Sequence, residues 1–359
     1  MNLDHVGEAG QLRLKESRVL IVGVGGLGCP VALYLAAAGV GTLGLIDFDE
    51  VDISNLQRQV LYGSNSIGKA KVEAAEARLH DLNPGVKLEI YRERLSLENS
   101  LNLFSKYDVI VDGADNFATR YLVNDASFFS GKPLVSASIL GFEGQLAVFN
   151  LPNGPCFRCL YPEPPPAGTV PSCAEAGVLG AVPGVFGCLQ SNEVLKLLLK
   201  IGEQGPSLVI LDLLNLDFSK ILVSRASDCP LCGEKPTITV LNEIHFVCQI
   251  PTRNDFDELD EISALDLAEV LKKGGHQIVD VRQAHERRLG AIEPSLHIPL
   301  SKLEEGESWE RLSQETPLIV YCQSGIRSAK AAKILREKGF LVKSLAGGIL
   351  SWEKFDSRR

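Results

Sequence analysis

The stretch that most constrains the fold is RVLIVGVGGLGCPVALYLAAAGVGTLGLIDFDE, residues Arg18–Glu50. Two continuous apolar runs flank an Ala- and Leu-rich segment that stops at Gly39, which predicts a buried strand, a helix and a second parallel strand. The first run leads directly into Gly23, Gly25 and Gly28, spaced Gly-x-Gly-x-x-Gly. Backbone amides in such a turn, beside a helix N-terminus, can face phosphate oxygens, so the stretch predicts a nucleotide site.

The first half of the chain continues this alternation. KAKVEAAEARLHDLNP and TRYLVNDASFFSG have helical patterns, whereas YDVIVDGAD, KPLVSASI and GQLAVFN are typical of strands. The series predicts an α/β fold with a doubly wound, Rossmann-like sheet and a ligand at the carboxyl ends of its strands. From Leu151 to Val182 the pattern stops in a Pro- and Gly-rich segment, which predicts a long functional crossover loop, followed by a helix from about Pro183 to Lys200.

The glycine turn alone does not distinguish ATP from NAD. Asp47 follows Gly28 by 19 residues at the end of the second predicted strand, where a carboxylate can hold a ribose hydroxyl of either nucleotide. Attack on the α-phosphate of ATP needs cations that offset charge repulsion and a carboxylate that holds Mg²⁺, whereas hydride transfer needs neither. Polar residues that fit these roles follow two predicted strands: Asn55, Arg58, Lys71, Asp115 and Asn116.

Five motifs in combination, GVGGLG, DFD, SNLQRQ, GKAKVE and DGADN, closely resemble the MoeB/ThiF family, the bacterial relatives of ubiquitin-activating enzymes, over about residues 7–240. The resemblance implies ATP-dependent adenylation, in a homodimer, of the C-terminal Gly-Gly of a ubiquitin-like sulfur-carrier protein of the MoaD/ThiS type. It implies that Gly26 and Asp47 contact the adenosine end of ATP. Asn55, Arg58 and Lys71 would contact its phosphates. Asp115 would position Mg²⁺.

The same motifs define the full set of residues expected at the nucleotide. They are Gly23, Gly25, Gly26, Gly28, Asp47, Asp49, Ser54, Asn55, Leu56, Gln57, Arg58, Lys71, Asp115 and Asn116. Arg58, Lys71 and Asp115 are also expected to take part in catalysis.

One departure from the family keeps alternatives open. Family members usually begin with an Arg-Tyr-x-Arg-like helix whose arginine reaches the ATP of the partner subunit, and MNLDHVGEAGQLRL lacks that helix, with Arg13 a poor substitute. A zinc-bearing sulfur-relay scaffold with weak or no adenylation therefore stays open. So does an NAD-binding oxidoreductase, which gives no role to Arg58 or Lys71. Adenylation of an RNA base is disfavoured by the net charge of −9.

Nine cysteines in a chain of this length favour metal or thiol chemistry over a disulfide framework. Cys156/Cys159 and Cys229/Cys232 are two Cys-x-x-Cys pairs. Four thiolates in two such pairs suit tetrahedral Zn²⁺, whereas a redox Cys-x-x-Cys more often occurs singly. We therefore expect a structural zinc knuckle, which the family resemblance also implies.

The single cysteines differ in their surroundings. Cys173 follows the Pro-rich segment in a polar loop, which favours a reactive thiol. The family resemblance implies that it attacks an activated glycyl group or resolves an acyl disulfide. Cys188 falls inside a predicted helix, where we expect it to be packed, and Cys29 and Cys248 carry no motif and are expected to be structural.

A second α/β pattern restarts after the acidic run PTRNDFDELDEIS. This composition change predicts an adenylating domain over residues 1–245, an acidic linker over 246–262 and a second domain over 263–359.

In VYCQSGIRSAKAA, Cys322 lies between a predicted strand and a helix, so loop amides, the helix N-terminus and Arg327 would surround an anion at its sulfur. Such surroundings stabilise a thiolate or a persulfide. The Cys322–Arg327 spacing is one residue shorter than a phosphatase Cys-x5-Arg loop, which favours sulfur over a phosphate-sized anion.

The flanking motifs IVDVR and GGILSWEK complete a resemblance to single-domain rhodaneses over about residues 262–356. It implies a catalytic persulfide on Cys322 and a loop braced by Asp280 and Arg282. Ala291 stands where the family usually has His, and we expect little functional consequence.

Together the two resemblances predict an adenylyltransferase and sulfurtransferase that uses ATP, Mg²⁺ and Zn²⁺. A cysteine desulfurase or another persulfide donor would load Cys322, whose persulfide attacks the acyl adenylate, and Cys173 would help to release a thiocarboxylate. The scattered basic residues disfavour direct nucleic-acid binding. No apolar run reaches membrane-spanning length and the N-terminus has no apolar signal region, so we expect a cytoplasmic protein.

Overall fold

A computed structural model describes residues 6–165, 177–202, 207–242, 261–288, 290–307, 309–323 and 325–356. The chain divides into two compact units, Met1–Phe246 and Val247–Arg359. Cys173, Cys248 and most of the predicted linker lie outside the described residues. No helix in the described part of the chain is long and apolar enough to cross a membrane.

The first unit is built on an eight-stranded sheet of order β3-β2-β1-β4-β5-β6-β7-β8. Strands β3, β2, β1, β4 and β5 are parallel, and β5 through β8 pair antiparallel. Its strands are β1 (Arg18–Val22), β2 (Thr42–Ile46), β3 (Lys87–Tyr91), β4 (Val109–Asp112), β5 (Leu134–Leu140), β6 (Glu143–Phe149), β7 (Ser207–Asp212) and β8 (Asp217–Leu222). The predicted doubly wound, Rossmann-like sheet is thus confirmed, with an antiparallel extension at one side.

Helices cover both faces of this sheet. They are α1 (Gly7–Glu16), α2 (Gly28–Ala38), α3 (Lys71–Leu82), α4 (Leu97–Ser105), α5 (Phe117–Phe129), α6 (Phe157–Leu160) and α7 (Ala181–Leu199). One apolar core includes residues of α1, α2, α3 and α7, and a second core on the other face includes residues of α4 and α5. The predicted crossover loop is interrupted by α6, a short helix whose first amide, that of Phe157, donates to Oδ1 of Asn124 at 2.9 Å.

One expectation about the helices is corrected by the fold, and the opening segment is defined by it. Cys188 lies in α7 as predicted but is exposed, because the buried stripe of α7 runs through Phe186, Gly187 and Gln190. The opening segment forms α1, and Arg13 donates from Nη1 to the carbonyl oxygen of Leu199 at 2.9 Å. Arg13 therefore satisfies a carbonyl at the C-terminal end of α7 in its own chain.

The second unit is a five-stranded parallel sheet of order β11-β10-β12-β13-β9. Its strands are β9 (Glu261–Ile262), β10 (Gln277–Asp280), β11 (Leu296–His297), β12 (Leu318–Tyr321) and β13 (Val342–Leu345). Its helices are α8 (Ala264–Lys273), α9 (Ala284–Arg287), α10 (Leu300–Glu304), α11 (Ile326–Glu337) and α12 (Gly348–Asp356). The last two residues of the predicted linker, Glu261 and Ile262, therefore form a strand of this sheet.

Candidate functional site

The glycine turn joins β1 to α2, and the backbone there leaves no room for a side chain at Gly23 or Gly28. A Cβ atom on Gly28 would lie 2.0 Å from the carbonyl oxygen of Gly23, and one on Gly23 would lie 2.9 Å from that of Gly113. Gly23 also has a φ of +86°, which favours glycine. The turn therefore packs directly against the loop that follows β4, and α2 begins at Gly28 with its N-terminus at this edge of the sheet.

Asp47, at the end of β2, ties the glycine turn to the next loop. Its Oδ2 accepts a hydrogen bond from the Val24 amide and its Oδ1 one from the Asp49 amide, both at 2.9 Å. Burial raises the pKa of this carboxyl, and Lys71 opposes the shift. Each oxygen of the carboxylate has accepting capacity beyond its single amide, so Asp47 can shape the turn and still bind a ligand.

Lys71 begins α3 and is almost fully buried. Its Nζ lies 2.9 Å from Oδ2 of Asp49, with side-chain exposures of 7% for the lysine and 48% for the aspartate. The Lys71 amide also donates to the carbonyl oxygen of Asp49 at 3.0 Å. The loop after β2 thus holds a desolvated ammonium against a carboxylate that remains open to solvent.

The SNLQRQ segment brings Arg58 against the glycine turn. Nη1 of Arg58 donates to the carbonyl oxygen of Ser54 at 3.0 Å, and a Cβ atom on Gly26 would lie 3.7 Å from Cδ of Arg58. Asn55 and Leu56 are half-buried, whereas Ser54 and Gln57 are exposed.

Gln59, in the same segment, was not predicted from the sequence. It is buried, its Nε2 lies 3.8 Å from the position of a Cβ atom on Gly25, and its Oε1 has no hydrogen-bond partner among the described residues. A buried amide with an unsatisfied oxygen beside the glycine turn is a further candidate contact for a ligand. Its signal in the sequence is the second Gln of the SNLQRQ motif.

The DGADN loop places Asp115 and Asn116 at the carboxyl end of β4, and both are exposed. Asn116 caps α5 by accepting a hydrogen bond from the Thr119 amide at 2.9 Å, and its Nδ2 donates to Oδ1 of Asp115 at 3.3 Å. Because Gly113 of this loop packs on Gly23, the loop adjoins the glycine turn. The carboxylate of Asp115 is therefore available to a ligand at the strand ends.

Asp112 braces this loop from the last position of β4 and was missed by sequence analysis. It is fully buried and accepts hydrogen bonds from the Ala114 amide at 3.0 Å and from Oγ of Ser136 at 2.8 Å. Arg120 lies 3.5 Å from its Oδ2. The loop conformation thus depends on a buried ion pair beneath it.

Four cysteines form a compact cluster at the other end of the unit. The Sγ atoms of Cys156, Cys159, Cys229 and Cys232 all lie within 4.8 Å of one another. The Sγ atoms are 3.5 Å apart in Cys156 and Cys229, and 3.3 Å apart in Cys159 and Cys232. Sulfurs bound tetrahedrally to Zn²⁺ at 2.3 Å stand about 3.8 Å apart. The donor atoms and their spacing therefore fit a tetrahedral ion.

Backbone amides support two of these sulfurs as acceptors. The Ala226 amide donates to Sγ of Cys159 at 3.4 Å, and the Cys232 amide donates to Sγ of Cys229 at 3.5 Å. A hydrogen bond from the Cys156 thiol lowers the pKa of Cys159. Amide donors to sulfur are the outer contacts expected of thiolate ligands.

The segment that carries Cys156 and Cys159 is anchored by the residue between them. Arg158 bonds to both oxygens of Asp125 in α5, through Nε and Nη2, each at 2.8 Å. The side chains are 7% and 3% exposed. Nη1 of Arg158 donates to the carbonyl oxygen of Pro162, and its guanidinium lies 4.7 Å from the centre of the Tyr121 ring.

In the second unit, the Cys322 loop lies between β12 and α11, and its described residues are Cys322, Gln323 and Gly325. Cys322 is buried, and its Sγ accepts a hydrogen bond from the Gly325 amide at 3.2 Å. The amides of Ile349 and Leu350, in α12, donate to the carbonyl oxygens of Cys322 and Gln323 at 2.8 and 3.2 Å. Loop carbonyls are thus bound to α12 while a loop amide donates to the sulfur.

The predicted brace of this loop is present. Arg282 bonds to Asp280 through Nε at 3.0 Å and Nη2 at 2.9 Å, and its Nη1 donates to Oε1 of Gln323 at 3.3 Å. Asp280 is fully buried and also accepts a hydrogen bond from the Tyr321 hydroxyl at 3.0 Å.

Arg327, expected near the sulfur, has a partner that sequence analysis missed. Its Nη1 and Nη2 donate to the two carboxylate oxygens of Glu286 at 2.7 and 2.6 Å. Oε2 of Glu286 also accepts a hydrogen bond from the Gln283 amide at 2.8 Å, as part of a capping box at the start of α9. Burial raises the pKa of Glu286, but the bonds from Arg327 and the Gln283 amide lower it on balance. The Gln-x-x-Glu spacing was the signal available in the sequence.

Comparison with known proteins assigns both units to families. The ThiF family matches residues 1–231, and the rhodanese-like domain matches residues 263–355. The chain is 43% identical to a Sus scrofa protein named adenylyltransferase and sulfurtransferase MOCS3, over 98% of this chain and 83% of that protein. It is 40% identical to the probable adenylyltransferase/sulfurtransferase MoeZ of Mycobacterium tuberculosis, over 97% of this chain and 90% of that protein.

The first unit alone has similar proteins as well. It is 50% identical to a Thermus thermophilus sulfur carrier protein adenylyltransferase, over 69% of this chain and 94% of that protein. The solved structure of E. coli MccB has the same fold, with a TM-score of 0.57 and 22% identity over 63% of this chain and 67% of that chain. The relatives that match both units are named adenylyltransferase and sulfurtransferase. The chain therefore belongs to the ThiF family and carries a C-terminal rhodanese-like domain.

Proposed function

We propose that this enzyme adenylates the C-terminal Gly of a ubiquitin-like sulfur-carrier protein of the MoaD/ThiS type with ATP, and converts it to a thiocarboxylate with sulfur carried by Cys322. The observation that supports adenylation best is the group of polar side chains around one glycine turn. Arg58 packs against the turn, and Asp115 lies on a loop that adjoins it. Lys71 follows the neighbouring strand, β2, and is buried there. An oxidoreductase that transfers hydride gives these residues no role, and membership of the ThiF family favours ATP over NAD.

The proposed first step is attack of the carrier carboxylate on the α-phosphate of ATP. The amides of the glycine turn and the N-terminus of α2 would bind phosphate oxygens, with Asp47 and Gly26 at the adenosine end. The nucleotide contacts would also include Gly23, Gly25, Gly28, Asp49, Ser54, Asn55, Leu56, Gln57 and Asn116. Arg58 and Lys71 would offset the negative charge as the carboxylate oxygen bonds to phosphorus and pyrophosphate leaves.

An exposed carboxylate beside the glycine turn fits Mg²⁺, which prefers carboxylate oxygens and phosphates as ligands. We propose that Asp115 is that carboxylate. When bound, Mg²⁺ would neutralise phosphate charge and orient the leaving pyrophosphate.

The second step uses the rhodanese-like unit. The terminal sulfur of a Cys322 persulfide would attack the acyl adenylate, releasing AMP and leaving an acyl disulfide. The thiolate of Cys173 would then attack the Cys322 sulfur of that disulfide, so that the thiocarboxylate leaves and a disulfide forms between the two cysteines. A thiol reductant would restore both thiols. Attack by Cys173 on the adenylate, forming a thioester first, is the alternative order.

The four-cysteine cluster is proposed to hold Zn²⁺ in a structural role. Four sulfur ligands close the coordination sphere and leave no open position for a substrate. The ion would tie the segment of Cys156 and Cys159 to that of Cys229 and Cys232, 73 residues further along the chain.

Assembly, sulfur source and location complete the proposal. A cysteine desulfurase or another persulfide donor would load Cys322, and the enzyme would work as a homodimer. Thiols paired as closely as those of the cluster persist in a reducing compartment, which favours the cytoplasm.

The deciding experiment incubates the protein with ATP, Mg²⁺, a persulfide donor and a panel of carriers that end in Gly-Gly. Mass spectrometry should detect a thiocarboxylate on one of them, and ATP–pyrophosphate exchange should require the same carrier. Full thiocarboxylate formation by Cys322→Ala, with the persulfide donor as the sole sulfur source, would refute the scheme. Sulfur transfer without any exchange activity would instead indicate a zinc-bearing relay scaffold.

A further inference from the structure

Both guanidinium groups that the structure links to the Cys322 loop are engaged by carboxylates. Arg282, which contacts the loop, bonds to Asp280 through two of its nitrogens. Arg327 lies in the first turn of α11, directly after the loop, and both of its terminal nitrogens bond to Glu286. Charge-assisted bidentate pairs of this kind are among the stronger polar contacts in proteins.

Arg287, a further arginine of this region, contacts two carboxylates, though not through a bidentate pair. Arg287 lies 3.0 Å from Glu293 and 3.5 Å from Asp280. Three guanidinium groups are thus balanced by the carboxylates of Asp280, Glu286 and Glu293. The loop amide at Gly325 remains as a donor to the sulfur, but the neighbouring ion pairs carry no net positive charge.

This balance matters because sulfur donors differ in charge. With thiosulfate, the Cys322 thiolate attacks the outer sulfur, a new S–S bond forms, and sulfite leaves with the electron pair of the old S–S bond. That transition state carries a total of three negative charges, one from the thiolate and two from thiosulfate. With a persulfide R–S–SH, the thiolate bonds to the terminal sulfur, R–S⁻ leaves and the proton stays on the transferred sulfur, so only one negative charge is shared. Cations stabilise the first reaction far more than the second.

We propose that Glu286 determines donor specificity: by holding the guanidinium of Arg327, it makes the Cys322 loop discriminate against anionic donors such as thiosulfate and select persulfides. Glu286 is a positioning residue that acts through Arg327. The inference rests on the proposed persulfide chemistry of Cys322, and it adds the chemical class of donor that the loop accepts.

The test compares two donors on the whole chain: thiosulfate and the persulfide of 2-mercaptoethanol, whose body is uncharged. Initial rates of sulfur addition to Cys322 are followed by mass spectrometry. Glu286→Gln keeps an oxygen that can accept the capping bond from the Gln283 amide but removes the charge that holds Arg327. We expect the ratio of kcat/KM for thiosulfate to kcat/KM for the persulfide to rise about tenfold, the value of one hydrogen bond between charged groups.

Glu293→Gln is the matched control. Glu293 is 67% exposed and pairs with Arg287, so its removal makes the same change in net charge without releasing Arg327. An equal rise in the donor ratio for Glu293→Gln would overturn the proposal, as would persistence of the rise in the double variant Glu286→Gln/Arg327→Gln.

A measurement on the unaltered protein keeps the test decisive if Glu286→Gln does not fold. With its guanidinium groups neutralised, the loop should show no loss of kcat/KM for thiosulfate as NaCl is added, and a steep loss would refute the proposal. If neither donor adds sulfur to Cys322, the proposed function fails together with this inference. If both donors add sulfur and Glu286→Gln leaves their ratio unchanged, only the inference fails.

Discussion

Replacement of Asp125 by Ala would leave the Arg158 guanidinium buried without its carboxylate. Both oxygens of Asp125 are bonded to Arg158 at 2.8 Å, and both side chains are more than nine-tenths buried. Removal of one partner from such a pair costs about 3–5 kcal/mol in stability. The Pro162 carbonyl and the Tyr121 ring still contact the guanidinium, so we expect a loss near 3 kcal/mol, about a hundredfold in the unfolding equilibrium.

The assay must separate the first unit from the second, because two compact units need not unfold together. Urea unfolding of the zinc-loaded protein, followed by release of metal to a colorimetric chelator, reports on the segment that Arg158 anchors. The midpoint for metal release should fall in Asp125→Ala. The double variant Asp125→Leu/Arg158→Met removes both charges at similar volume, and its loss should be much smaller.

Two results would refute this reasoning. An Asp125→Ala protein within about 1 kcal/mol of the unaltered chain would mean that water or another group solvates the guanidinium. A double variant as unstable as the single one would mean that the stability lies in packing rather than in the ion pair.

Three further predictions follow from the first unit. Lys71→Met should lower ATP–pyrophosphate exchange by about a hundredfold, since it removes a buried cation from the proposed phosphate site, whereas the exposed Lys69→Met should not. Gly28→Ala should abolish ATP binding measured by calorimetry, because its Cβ would lie 2.0 Å from a carbonyl oxygen; undiminished binding would contradict the geometry of the turn. Burial raises the pKa of Glu89, but hydrogen bonds from a lysine, a tyrosine and an arginine outweigh it and lower the pKa to about 2. The stability that this carboxylate contributes is present above its ordinary pKa and is lost as the pH falls toward 2, so Glu89→Gln should flatten the acid limb of a stability–pH curve.

Features carried by short stretches of sequence were predictable. The glycine turn, the buried strands and the two Cys-x-x-Cys pairs each depend on local spacing, and the structure contains all of them. The exposure of Cys188 could not be predicted from local sequence. Apolar residues surround α7 on most sides, so the periodicity of the sequence does not reveal which face of the helix is buried.

Contacts between distant residues were not predictable in this way. Arg158 and Asp125 are 33 positions apart, and Arg327 and Glu286 are 41 positions apart. Each pair forms only because the fold places two helices side by side. Motif matching finds Arg327 but not Glu286, because the motif records the residue beside the reacting atom and omits the residue that holds it.

The acidic residues at strand ends show why position alone does not assign a role. Asp47, Asp112 and Asp280 end, or directly follow, strands β2, β4 and β10, and each accepts a hydrogen bond from the amide two residues further on. This local bond turns the chain out of the sheet, in both units alike. The first role of these strand-end carboxylates is therefore to fix the conformation of the loop that follows each strand.

The carboxylates that remain for ligands lie further along these loops. Asp49 follows Asp47 by two residues and is about half exposed, and Asp115 follows Asp112 by three and is exposed. The buried member of each pair fixes the backbone, and the exposed member can then present its oxygens at a defined place. The rhodanese-like unit uses the same local bond with the opposite outcome. There the residue two positions after Asp280 is Arg282, whose guanidinium turns back onto Asp280. A loop built in this way pairs its buried carboxylate with its own guanidinium, whereas the loops after β2 and β4 leave Asp49 about half exposed and Asp115 exposed.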